Sequence, residues 1–280
     1  MIWCEPDLDP DDSPNKRLWG GTKAQFFDLY EIAAKHLKTR FPHLKIGGPG
    51  LAHDEAWAED FLKEMNRRGV PIDFFSWHIY CTEPEKIIAM AERLQALLDK
   101  YGYGDTENHL TEWNYVKSWT ENFVYTIKTI RGMKGAAYAM ACISAAQDSP
   151  IDMMVYYDCR PVSVYNGLFD MATAEPQKGY YPFYWYGMFY DMEAEVKAEN
   201  KIDDIYSLCG VGADGKLLAV ITHYSDDDTT LSKNISVDFG RAGKYEIYLL
   251  DEEHDGELYG TTSDLDFVMK NNTVILIKEI

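Results

Sequence analysis

Two glutamates each close an apolar run and stand among aromatic or amide side chains: Glu5 in IWCEPDL and Glu112 in HLTEWN. Two carboxyls facing one another across a bond are the equipment for cleaving a glycosidic linkage. One is held protonated to donate to the leaving oxygen, while the other attacks or activates water. A single strand-end glutamate more often caps a helix or pairs with an arginine. Two together, with surrounding aromatics, reverse that weighting. His78 and Tyr80 lie two positions apart in DFFSWHIY, so they share a strand face and are candidate ligand contacts. A satisfied core histidine is the other reading of His78. Trp113 and Asn114 follow Glu112 and either meet substrate or pack and cap, and Tyr157 is either a core residue or a platform for a ring.

These residues need elements that bring them to one edge. The apolar runs LKIGG (44–48), PIDFFSWHIY (71–80), HLTEWNY (109–115) and DMMVYYD (152–158) alternate poorly, as parallel strands covered on both faces do. Helical patterns separate them. Thr22 with Gln25, Thr82 with Glu85 and Ser118 with Glu121 fit capping boxes. Phe26, Tyr30, Ala33 and Leu37 mark the buried stripe of the first helix, and Ile87, Leu94 and Leu98 that of the third. Gly69 and Gly102 suit left-handed helix ends. Strand–helix repetition implies a parallel α/β sheet or barrel. The strand-end location of Glu5, His78, Tyr80, Glu112, Trp113, Asn114 and Tyr157 favours the barrel, whose chemistry gathers at that edge. No glycine-rich phosphate loop supports a nucleotide fold.

From about residue 194 the texture becomes β-rich. KLLAVITHYS, NISVDF, KYEIYLL, LDFVM and TVILIKEI are separated by turn signals at Asp214-Gly215 and Lys270-Asn271-Asn272. The expected organisation is a barrel-like catalytic part over 1–192 and a small antiparallel β-sandwich over 193–280. The aromatic run YYPFYWYGMFY (180–190) reads as helix packing beneath the barrel.

WCEPDL, Trp19, LKIGGPG, DFFSWHIY and LTEWN together resemble glycoside hydrolase family 39, the β-xylosidase and α-L-iduronidase family of retaining (β/α)8 enzymes. The resemblance runs over nearly the whole chain. It implies that Glu5 is the general acid/base after the family's fourth strand and Glu112 the nucleophile after its seventh. It implies further that His78 and Tyr80 touch the sugar and hold the nucleophile, that Trp19 stands near the leaving-group side, and that Tyr157 floors the sugar ring. The substrate would be an oligosaccharide, and retaining hydrolysis needs no cofactor.

Two departures matter. The family carries asparagine before the acid/base, where it bonds the sugar 2-hydroxyl; this chain has Cys4, whose thiol is a weak donor and acceptor. Losing most of that interaction costs on the order of a hundredfold in rate, so Cys4 implies a shifted substrate or slow catalysis. If Ile2-Trp3 ends the fourth strand, three βα units of a (β/α)8 TIM barrel are missing and only strands 4–8 remain. Such a sheet has open edges, so completion by an upstream segment, another copy or another chain is expected. A non-catalytic sugar-binding protein or an inactive carboxyl-terminal fragment is the alternative function.

The formal charge of −19 and a pI near 4.7 disfavour nucleic-acid and anionic-membrane partners. The longest apolar run, GAAYAMACISAA, is too short to span a bilayer. No secretory signal is visible. Five cysteines without a CxxC pair favour reduced thiols and a cytoplasmic location. Asp7, Asp9, Asp11 and Asp12 mimic a calcium loop but lack its glycine and closing glutamate, which leaves a solvated acidic loop. Cys4, Cys81 and Cys159 with His78 lack the tight spacing of a zinc site, so no metal is expected.

Overall fold

The computed structural model describes residues 1–280, which divide into two compact units. The first comprises Met1–Tyr80, Lys86–Trp113 and Ser149–Tyr157; the second comprises Cys81–Glu85, Asn114–Asp148 and Asp158–Ile280.

The first unit is built on a four-stranded sheet in the order β1 (Gly47–Leu51), β2 (Phe74–Cys81), β3 (Glu107–Tyr115), β4 (Met153–Tyr156). The β1/β2 and β3/β4 pairings are parallel. The connecting helices are α1 (Lys23–Arg40), α2 (Glu55–Arg68) and α3 (Pro84–Lys100). Parallel neighbours need crossovers of a dozen or more residues, which is what these helices supply. The capping box at Thr22 and Gln25 forms as expected, and Gly69 ends α2 in the left-handed region. Helix α1 buries Phe26, Phe27, Tyr30 and Ala34, one position round from the expected stripe at Ala33 and Leu37. These rings mesh with Trp57 and Phe61 of α2, and Phe61 reaches Phe75 on β2. Burying each such ring contributes about 1.5–3 kcal/mol.

Some local expectations shift for physical reasons. The run 44–48 becomes strand only from Gly47, because the Ile46 N–H donates to the Asp73 carboxylate at 2.7 Å instead of to a neighbouring strand. Helix α3 starts with Pro84, whose missing N–H suits the first helical position; the cap position therefore falls on Glu83, not Thr82. Ser118 accepts the Thr120 N–H at 3.2 Å, and the next helix begins only at Phe123.

Residues 1–5 are not strand. Trp3 and Glu5 take positive φ angles of 65° and 47°, which interrupt an extended ladder. The segment nevertheless runs along β1, with Ile2 N–H donating to Gly47 O and Glu5 N–H to Gly50 O, both at 2.7 Å. Glycines make this approach possible. A Cβ on Gly48 would stand 2.8 Å from Ile2 O, and Gly50, at φ 69°, lies beside Cys4 Cα. The segment is locked further by Asp7, which is 7% exposed and accepts the backbone N–H groups of Ala52, His53 and Asp54 at 2.8, 2.9 and 2.9 Å. The acidic loop is therefore not simply solvated. Asp9 pairs with Arg17 at 2.7 Å, and Asp11 accepts the Lys23 N–H at 2.7 Å.

The second unit holds α4 (Phe123–Ile130), α5 (Met133–Ala146), α6 (Tyr180–Met188) and strands β5 (Ala194–Glu195), β6 (Ile205–Val211), β7 (Leu217–His223), β8 (Lys233–Ser236), β9 (Tyr245–Leu250), β10 (Asp255–Thr262), β11 (Asp266–Met269) and β12 (Thr273–Glu279). The strands form a six-stranded antiparallel sheet, β10-β9-β12-β7-β6-β5, and a two-stranded one, β11-β8. Ile221, Ile247 and Ile275 of the larger sheet share one core with Ile235 and Met269 of the smaller. Gly215, at φ 78°, makes the expected tight turn before β7. The turn at Asn271–Asn272 is not a hairpin, since β11 and β12 belong to different sheets. Strand β6 carries Ser207, Cys209 and Gly210, and β10 is mostly exposed. Neither shows the alternation that would mark it in sequence. In 180–190 only Pro182 and Trp185 are buried, while Tyr184 and Tyr190 are 54% and 92% exposed. That run therefore packs along one side, against α5 among others, and leaves the other side exposed. No helix is long and apolar enough to cross a membrane.

Replacing Asp7 with Ala strands three backbone donors in a half-buried loop. With charge-assisted bonds contributing about 1.5–3 kcal/mol each and acting non-additively, the expected loss is about 3 kcal/mol. Urea unfolding reads it as a lower midpoint at an unchanged slope; an unaltered midpoint contradicts the anchoring role.

Candidate active site

Strand β2 presents Ser76, His78 and Tyr80 on one face, as the two-residue period of a strand dictates. Ser76 Oγ accepts the Gly50 N–H at 2.8 Å, tying β1 to β2 beneath the site. His78 is 1% exposed, and its Nδ1 lies 2.8 Å from Glu5 Oε1 and 3.6 Å from Glu112 Oε2. Between two carboxylates, that nitrogen carries the proton and donates. Its Nε2 is buried without a hydrogen-bond partner. Glu112 reaches the centre from β3, whose pairing with β4 slips between Leu110 and Trp113. An irregularity of this kind re-aims the side chain it carries.

Glu112 is surrounded by donors. Tyr80 Oη donates to Oε2 at 2.6 Å, and the Cys4 thiol approaches Oε1 at 4.0 Å. Burial, then the neighbouring Glu112, raises the Tyr80 phenol far above its ordinary range, so it stays a donor. The Cys4 thiol is pushed up to about 12 by burial and by the charges of Glu112 and Glu5, so at neutral pH it is a protonated group. No lysine or arginine pairs with Glu5 or Glu112; the buried imidazole is their shared partner.

The remaining expected residues separate into three groups. Tyr157 stands edge-on to Tyr80 with ring centroids 6.3 Å apart, so it belongs to the same wall. Trp19 lies against Trp3 at 5.2 Å and Phe26 at 5.6 Å, with its Nε1–H donating to Thr22 O. It is half-buried and braces the segment that carries Glu5. Trp113 and Asn114 are 1% and 2% exposed. Trp113 packs on Tyr156 at 5.4 Å, and Asn114 donates to Tyr165 O and accepts the Tyr115 N–H, so neither offers a free polar face. The strand turns the side chains after Glu112 inward. Of the cysteines weighed for zinc, Cys81 bonds Glu83 O and meets Tyr138 Oη, both at 3.4 Å, and Cys159 is exposed in the second unit. Instead, Cys4, His78 and Glu112 bring donor atoms within 4.8 Å of one another.

Trp3, Asp7 and Ser76 support the site and escaped the sequence reading. Their partners lie as many as 47 residues away, and no local pattern marks them; only the alternate positions 76, 78 and 80 hinted at Ser76. A cleft of about 720 Å³ in the second unit, lined by Val196, Ile205, Leu217, Ile235 and Phe239 among others, holds none of the candidate residues. Chemistry rather than cavity size identifies the site.

A family model described as glycosyl hydrolases family 39 matches residues 1–162, which include Glu5, His78, Tyr80, Glu112 and Tyr157. A β-xylosidase from Geobacillus stearothermophilus is 29% identical over 40% of this chain and 25% of its own length. A β-xylosidase from Caldicellulosiruptor saccharolyticus is 38% identical over 29% of this chain and 15% of its own. The matched region thus spans a quarter or less of these curated relatives. A glucosidase from Croceicoccus marinus has the same fold, with a TM-score of 0.76 at 22% identity over 99% of this chain and 68% of that one. With more than half of its residues matched by the family model, the chain belongs to glycosyl hydrolases family 39.

Proposed function

We propose that this chain carries the catalytic centre of a retaining glycoside hydrolase of β-xylosidase type, acting on short oligosaccharides by double displacement. Glu112 attacks the anomeric carbon as the glycosidic bond breaks, and Glu5 gives its proton to the departing oxygen. Water then attacks the glycosyl–enzyme ester, and Glu5 takes the water's proton as Glu112 is released. On this reading the parallel strands of 1–192 are part of a (β/α)8 barrel, followed by a β-sandwich in 193–280.

The observation that carries the reading is the sharing of His78 Nδ1 by the two carboxylates, at 2.8 and 3.6 Å. Two carboxyls drawn to one nitrogen are compatible with the short separation of retaining enzymes, about 5–5.5 Å, rather than the wider one that admits an intervening water. The asymmetry of the donors supports the assignment of roles. Tyr80 and Cys4 both address Glu112, whereas Glu5 meets the imidazole alone, an asymmetry that supports Glu112 as the attacking group. Tyr157 beside Tyr80 supplies an aromatic face for a sugar ring. Cys4 puts a weak hydrogen-bonding group against the reacting carboxylate, which supports a substrate or rate different from that of relatives with an amide there.

A 2-deoxy-2-fluoro xyloside with an activated leaving group is expected to label Glu112 covalently, detected by peptide mass. A folded protein that binds xylo-oligosaccharide yet takes no label at Glu112 overturns the nucleophile assignment and leaves a sugar-binding protein. Glu112→Gln is expected to abolish turnover with the fold unchanged by circular dichroism. Glu5→Gln is expected to slow hydrolysis of alkyl or sugar leaving groups by about 10²–10⁴-fold, and a nitrophenyl glycoside far less; equal losses on both substrates contradict an acid role. Tyr80→Phe removes one charge-assisted bond, about 1.5–3 kcal/mol, so kcat is expected to fall roughly 10–100-fold. An unchanged kcat contradicts the positioning of Glu112 by Tyr80.

A further inference from the structure

Beside the two carboxyls, the centre holds a thiol that glycoside hydrolysis does not require. Cys4 Sγ, His78 Nδ1 and a Glu112 carboxylate oxygen lie within 4.8 Å of one another, and Glu5 Oε1 is 2.8 Å from the same His78 nitrogen. They come from the amino-terminal segment, β2 and β3, so the sheet gathers them. Two carboxylates and a thiol face one buried imidazole with no lysine or arginine to balance them. Sulfur, nitrogen and oxygen donors in a partly dry pocket match a borderline-soft divalent ion, not a hard one.

We propose that Cys4, His78 and Glu112 bind one Zn²⁺, with Glu5 completing the tetrahedron, and that the bound ion blocks the centre. Zinc–sulfur and zinc–nitrogen bonds of about 2.3 and 2.0–2.1 Å place tetrahedral donors roughly 3.3–3.7 Å apart. Cys4, His78 and Glu112 need to converge by roughly 1–1.5 Å, and Glu5, which reaches only the imidazole of that group, must swing further; side-chain rotation supplies both. Glu112 Oε1 turns toward the metal while Oε2 keeps its bond from Tyr80. Coordination releases the Cys4 thiol proton, and the proton that Glu5 carries as an acid, to solvent. The His78 proton moves from Nδ1 to Nε2, which makes no hydrogen bond, so the tautomer change breaks none there. Both carboxylates are then committed to the ion and unavailable for proton donation or attack. The binding half of this inference stands on geometry alone; the inhibitory half rests on the hydrolase reading.

The test is competition for Zn²⁺ between the purified full chain and a chromophoric chelator, with Mg²⁺ as a control that should not compete. One tight equivalent is expected, weakened at least tenfold in Cys4→Ser and in Glu112→Gln. Thermal melting shows that each variant is folded, and if Cys4→Ser does not fold, Glu112→Gln carries the same readout. Undiminished zinc affinity in a folded variant overturns the site. Zinc should also stop glycoside turnover, with recovery on adding EDTA. Tight binding with unimpaired turnover overturns the inhibition. Tight binding in a chain that never turns over, with or without zinc, leaves the site standing and defeats the hydrolase reading instead.

Discussion

One nitrogen holds the centre together. His78 Nδ1 sits in a side chain that is 1% exposed and faces Glu5 at 2.8 Å and Glu112 at 3.6 Å. Two carboxyl groups drawn to one point in a partly dry site would repel strongly if both were charged. A proton on the imidazole between them is the group that lets both carboxylates stay. Tyr80 adds a second donor, on Glu112 alone, and so makes the two carboxylates unequal. That inequality makes the two carboxyls chemically distinct, and it rests on which side chain of β2 reaches which oxygen.

The position of Glu5 is the more demanding half. It sits at φ 47° and Trp3 at φ 65°, conformations that cost about 1–2 kcal/mol each for residues bearing a Cβ. Strain of this kind persists where the surroundings over-determine the backbone. Here two hydrogen bonds to β1, three backbone donors on Asp7, and Trp3 against Trp19 supply that constraint. Gly48 and Gly50 leave the gap into which the segment fits. Trp19 then passes the contact to Phe26, and Phe26 to Trp57 and Phe61, so the acid-bearing segment is braced by the aromatic core of α1 and α2.

Cys4 shows how one side chain redirects a centre. It adjoins Glu5 in sequence and Glu112 in space. Burial and the two carboxylates keep it a neutral thiol, raised to about 12. As a hydrogen-bond donor it is poor, and as a metal ligand it is good. That thiol forms a mixed donor group with His78 and Glu112.

Strand–helix order, the capping box at Thr22, the left-handed end at Gly69 and the tight turn at Gly215 were all legible in the residues themselves, because each depends on neighbours within a few positions. So was the pairing of His78 with Tyr80, since strand period alone puts them on one face. Sequence patterns also singled out Glu5 and Glu112, but not that they meet: 107 residues separate them, and the sheet order β1-β2-β3-β4 brings them to one imidazole. Asp7 read as a solvated acid, and only the loop at 52–54 explains its burial. Trp113 and Asn114 read as either substrate contacts or packing residues, and only the tertiary structure shows that they turn inward. Local patterns follow from backbone sterics and short-range hydrogen bonding, which act along the chain. Which donor meets which carboxylate is decided by long-range packing, which a one-dimensional pattern does not encode.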